Sequence, residues 1–207
     1  MELTDVIRMR KMTRSFSTEP VDMTIVHSML ADALRAPSAG FAQGCHLVLL
    51  EGPAETATFW NATTTQEWRR SKGRGASLHG RLLDAPVVVV CLTDPEAYLD
   101  RYSEPDKSAS GLGRDAGTGA WPVPYWIVDA SFAAMTILLR CAEEGLGALF
   151  FGIFRGEAQL KHDLGIPEHV VSIGAIAIGH PHPEDRPSRS LSRGRRPLDQ
   201  VVHRGRW

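Results

Sequence analysis

Six consecutive apolar residues, Val87-Val88-Val89-Val90-Cys91-Leu92, constrain this chain more than any other feature. Valine is β-branched and favours extended backbone. Side chains alternate between the two faces of a strand, so a run with no polar position is apolar on both. The segment reads as a central strand with no face left for solvent.

Around it the chain alternates helical and extended signals. Leu3–Lys11 reads as a first helix with Leu3, Val6, Ile7 and Met9 toward a core, and Met23–Arg35 as a second, its Ile25, Val26, Met29, Leu30, Ala33 and Leu34 on one stripe. His46–Leu50 is a buried strand, residues 54–75 are partly helical, and Leu78–Asp84 closes a further helix. Residues 103–125 lack periodicity and are dense in Gly, Ser, Pro and Asp, which predicts a loop or lid excursion. The longest helix follows at 126–144, ended by Gly145. A strand and turn at 147–152, a short helix at 157–164 and a last strand at 170–178 complete the pattern, and residues 181–207 read as a proline-rich arm.

Alternation of this kind by itself suggests a parallel α/β sheet. The glycine fingerprint of a dinucleotide fold is missing, however. Gly111-Leu112-Gly113-Arg114-Asp115-Ala116-Gly117 has one residue too many and follows a loop, while Gly145-Leu146-Gly147 follows a helix. No P-loop is present.

Net charge is −1 over 207 residues, which disfavours bulk nucleic-acid binding. The charge is unevenly placed: from Arg186 to Trp207 there are seven arginines against one acid, Asp199. Cys45, Cys91 and Cys141 fit neither a disulfide framework nor a zinc pattern. The N-terminal stretch lacks an apolar signal core and no apolar run approaches a membrane span, so a soluble cytoplasmic protein is expected. His180-Pro181-His182 has no acidic or cysteine partner nearby and reads as a loop rather than a metal pair.

Two segments carry the chemistry. Arg10-Lys11-Met12-Thr13-Arg14 places three cations within five residues. Ala36-Pro37-Ser38-Ala39-Gly40-Phe41-Ala42-Gln43 breaks a helix and follows it with small residues whose backbone can approach a flat ligand. With the cluster Arg193-Gly194-Arg195-Arg196, they suggest an anchor for one phosphate and a seat for a planar ring.

Four segments, in order, resemble the FMN-dependent nitroreductase-like family: Arg10–Phe16, Ala36–Cys45, Cys141–Ala148 and Arg193–Val202. The resemblance implies an α+β, three-layer fold with a central mixed, mostly antiparallel sheet flanked by helices. It implies one FMN-binding domain over residues 1–207, and a homodimer with FMN at the interface and an extended C-terminal arm. Carried over, Arg10, Arg14, Arg193 and Arg195 bind the FMN phosphate, with Lys11 and Met12 contributing backbone groups. Pro37, Ser38 and Ala39, with Phe41 and Gln43 of the same loop, line the ring from the partner chain. Phe150, Phe151 and Gly152 present backbone N–H groups to its reactive edge. No protein nucleophile is implied; the flavin passes electrons from NADH or NADPH to a small organic acceptor. Met12, Phe41 and Gly44-Cys45 depart from the family's serine, asparagine and Pro-Trp. Non-catalytic FMN binding, or use of flavin as a substrate, are the other readings these departures allow.

Overall fold

The computed structural model describes residues 1–72 and 81–207; the portion of the expected helix at 78–80 lies outside the described residues. Four strands, β1 (Cys45–Glu51), β2 (Val87–Thr93), β3 (Gly147–Phe151) and β4 (Val171–Gly179), form a sheet in the order β1-β2-β4-β3. Every pairing among them is antiparallel, which overturns the parallel sheet that alternation alone suggests. The mixed character expected of the sheet survives as one isolated parallel bridge, Met12 to Ala148.

All seven residues of β2 are buried, and its alternation builds two cores. Val87, Val89 and Cys91 face one side, where they meet Val26, Met29 and Ala33 of α2 (Met23–Ala33) and Ala133, Ile137 and Cys141 of α6 (Tyr125–Glu143). Val88, Val90 and Leu92 face the other, against Phe59 and Trp60 of α3 (Gly52–Thr63) and Leu160 of α7 (Glu157–Leu164). Each fully buried valine contributes about 1.5–3 kcal/mol, so this one strand ties both helical layers to the sheet.

Three sequence expectations need correction. In α1 (Leu3–Met9) only Val6 is buried; Leu3, Ile7 and Met9 are more than half exposed. Helix α6, at 19 residues, is long and apolar enough by length and composition to cross a membrane, yet one face is buried against the sheet and α2. The region before and within the 103–125 excursion is structured: α5 (Pro95–Ser103) starts it, capped by Asp94 accepting from the Glu96 N–H at 2.8 Å. Short 3₁₀ turns follow at Ser108–Ser110 and Thr118–Ala120. Trp121 and Trp126 then pack on Tyr98 and Leu99 as a third small core.

Candidate functional site

A cavity of about 610 Å³ opens where α3, residues 64–65 and α4 (Gln66–Lys72) face the end of β3. Strand β3 delivers Phe150 and Phe151 to its wall, and Gly152 follows where the strand ends. The Phe151 ring stacks on Trp60 with 5.7 Å between centroids and 9° between planes, and Phe59 meets both edge-on. The Trp60 indole N–H is buried without an acceptor among the described residues. Arg14 and Arg155 are the only charged side chains lining the cavity among the described residues, so its potential is positive. A wall of aromatic rings beside two guanidinium groups suits a planar anion.

Arg14 reaches this wall because its segment runs beside β3. The Thr13 N–H donates to Ala148 O at 2.9 Å, and Phe16 bridges to Pro181. Sequence reasoning missed the group that shapes the turn. Asp185 Oδ1 accepts from the backbone N–H of Arg14 at 2.9 Å and of Ser15 at 3.0 Å, and its Oδ2 lies 3.8 Å from Lys11 Nζ. The Asp185 side chain is only 3% exposed. Arg14 Nη1 donates to Met12 O at 3.1 Å. Arg10 closes α1 by donating its own N–H to Val6 O, and its Nη1 is buried with no acceptor among the described residues. A buried guanidinium nitrogen without an acceptor is costly, and an anionic group beside it would remove that cost.

The loop at residues 36–43 lies around a second, smaller cavity of about 180 Å³, lined by Pro37, Ser38, Phe41 and Gln43 together with Cys45, Tyr98 and Asp129. Gly40, Phe41 and Gln43 have φ of 61°, 59° and 54°. Asp129, 6% exposed at the start of the second turn of α6, accepts from the Ala39 N–H at 2.7 Å and from the Tyr98 hydroxyl at 2.8 Å. Burial, reinforced by the Asp129 hydrogen bond and charge, holds the Tyr98 phenol protonated well above its ordinary range. Burial, then the Asp129 charge, pushes the Cys45 thiol up as well.

Within one chain, then, Arg14 and Phe150–Gly152 converge on the large cavity, and Pro37, Ser38, Phe41 and Gln43 on the small one. Ala39 is anchored behind that loop. Lys11 lines a third cavity, of about 130 Å³, between α1 and α6, while Met12 is held at β3. Arg193 and Arg195 line none of these; every residue from 189 to 207 is exposed.

Residues 7–180 match the sequence profile of the Nitroreductase family. The chain belongs to the nitroreductase family. An NADH dehydrogenase of Thermus thermophilus is 28% identical over 207 residues, covering 93% of this chain and 91% of the relative. A nitroreductase family protein from Clostridium difficile 630 superposes with a TM-score of 0.69 at 16% identity, covering all of both chains. A candidate nitroreductase from Desulfovibrio desulfuricans, solved in complex with FMN, gives 0.68 at 21% identity, over 98% of this chain and 95% of that one. These structures share the sheet and its flanking helices with this nitroreductase-family chain. The match ends at residue 180, so Asp185 and the arginines at 193 and 195 lie beyond it.

Proposed function

We propose that this protein is an FMN-dependent oxidoreductase taking electrons from NADH or NADPH and passing them to a small organic acceptor, with donor and acceptor using the same site in turn. The observation that carries the reading is the convergence of Arg14 and the end of β3, Phe150–Gly152, on one positively lined aromatic cavity. A volume of about 610 Å³ falls in the range of sites for cofactor-sized ligands. The residues fit FMN. Arg14 faces the cavity, Arg10, on the same segment but outside the cavity lining, offers a buried nitrogen lacking an acceptor among the described residues, and guanidinium forks suit a phosphate dianion. Arg193 and Arg195, on the exposed segment, would complete the phosphate shell. Bound there, FMN would supply the hydride chemistry. The backbone around Phe151 and Gly152 would donate hydrogen bonds to the ring edge and so favour the charge of the reduced form.

The working unit is a homodimer in which Pro37, Ser38, Ala39, Phe41 and Gln43 face the ring bound by the other copy. Exposed apolar side chains on α1 and α6 support it: Leu3, Ile7, Phe132 and Met135 are 65%, 54%, 46% and 41% exposed. The cysteines are all unpaired, two of them buried, which suits a reducing cytoplasm. The relative named NADH dehydrogenase supports a nicotinamide donor. The test is equilibrium dialysis of the apoprotein against FMN and riboflavin. One FMN per chain, bound far more tightly than riboflavin, is the expected result; equal or absent binding of both overturns the phosphate assignment.

A further inference from the structure

The Ser38–Gln43 loop holds a shape it would not adopt alone. Two non-glycine residues, Phe41 and Gln43, sit in the left-handed region at φ 59° and 54°, each at a cost of about 1–3 kcal/mol. Gly40 is also left-handed, and a Cβ there would lie 2.7 Å from the Tyr102 ring. Such strain persists only where the surroundings over-determine it. Here they do so from three sides. Asp129 Oδ2 takes the Ala39 N–H, and Tyr98 donates to the same oxygen. Arg101 Nε donates to Gly40 O at 2.7 Å, and the guanidinium is held in turn by Glu104 at 3.0 Å and by both oxygens of Asp106 at 2.7 Å. Ser38 Oγ accepts from the Gln43 N–H at 2.8 Å and closes the loop on itself. The outcome is a Phe41 side chain 73% exposed at the tip.

Stability does not explain this arrangement. Asp129 is a buried carboxylate with no ion-pair partner among the described residues, and burying an unpaired charge is costly. We propose that Asp129, Tyr98 and Arg101 are positioning residues: they fix the Ser38–Gln43 loop against the flavin of the second subunit and set both the rate of hydride transfer and the flavin's potential. This rests on the flavin reading of that loop. Helix α5, which supplies Tyr98 and Arg101, thereby becomes part of the electron-transfer machinery while touching neither cofactor nor substrate. A displacement of about 1 Å in groups that orient reactants can cost about a hundredfold in rate. Removing the Asp129 charge also removes a buried negative potential behind the loop, which makes the flavin easier to reduce.

The test uses the FMN-loaded protein and the variants Asp129→Asn, Tyr98→Phe and Arg101→Ala. The Arg101 side chain is partly exposed and belongs to none of the three cores, so its variant keeps the fold even if Asp129→Asn does not. Flavin content, visible spectrum, midpoint potential and the anaerobic rate of flavin reduction at saturating NADH or NADPH are measured per bound flavin. The expected result is a rate lowered at least tenfold in Arg101→Ala and Asp129→Asn and less in Tyr98→Phe, with FMN still bound. Asp129→Asn should also shift the potential to a more positive value. The inference is overturned if loaded variants match the wild-type rate and potential, or if they lose only FMN or thermal stability while the bound fraction reacts normally. If the wild-type protein binds no FMN, the functional reading itself fails, an outcome distinct from these.

Discussion

Asp185 gives the sharpest handle on the proposed phosphate site. Its side chain is 3% exposed and accepts the N–H groups of Arg14 and Ser15 at 2.9 and 3.0 Å. Hydrogen bonds to a charged partner contribute about 1.5–3 kcal/mol each. Because these two share one oxygen, the lower end applies, about 3 kcal/mol together. The Lys11 pair, at 3.8 Å with the lysine side chain 58% exposed, adds about 0–1 kcal/mol. Asp185→Ala therefore frees the turn that carries Arg14 and leaves two N–H groups without acceptors. If FMN must reorder that turn on binding, about 3 kcal/mol corresponds to a hundredfold weaker Kd. Asp185→Asn keeps an oxygen able to accept both bonds and should weaken binding less than tenfold. Quenching of flavin fluorescence during titration reports Kd, and thermal unfolding of the apoprotein reports the turn. A Kd for Asp185→Ala within threefold of wild type would refute the reasoning. Equal losses in both variants would show that charge, rather than the bonds, matters.

Deleting residues 193–207, all exposed, should leave the melting temperature of the apoprotein nearly unchanged while weakening FMN binding about a hundredfold, as the two proposed charge-assisted phosphate contacts of Arg193 and Arg195 are lost. Gly156 has φ 66°, and a Cβ there would lie 1.8 Å from Ala62 O in α3, so Gly156→Ala should cost at least about 2 kcal/mol. At this chain length that lowers the melting temperature by about 4–8 °C, read by calorimetry. Burial pushes the Cys91 and Cys141 thiols up to about 12, so at pH 8 only about one part in ten thousand of each is thiolate. A disulfide reagent should thus label at most one thiol, the half-buried Cys45, per native chain and all three after denaturation.

The sequence was most legible where one physical signal dominated. The valine run has no polar position, so β2 could only be a covered strand, and its boundaries came within a residue. Helix α7, from Glu157 to Leu164, is closed by Gly165 at φ 65°, a stop readable from composition. Helix α5 was missed although Asp94-Pro95 is a sound start, because the acidic and aromatic residues after it show no clean stripe. Leu3, Ile7 and Met9 fall on the apolar stripe of α1 yet stand exposed, since periodicity detects an apolar face but not what covers it. At the candidate site the basic and small-residue segments stood out, and the carboxylates that hold them did not. Asp185 is 171 positions from Arg14, and Asp129 is 90 from Ala39. Neither local spacing nor composition marks a lone acid whose partners are backbone groups that distant. The left-handed Phe41 and Gln43 were equally hidden, since neither is a residue that prefers that region.

The most direct test of the account is anaerobic stopped-flow mixing of the FMN-loaded protein with NADH and, separately, NADPH, followed by a quinone or nitroaromatic acceptor. Rapid loss of flavin absorbance with at least one donor and its full return with the acceptor, over repeated cycles with no loss of flavin, is the expected result. A flavin that stays oxidised with both donors, or is consumed as it turns over, would contradict it.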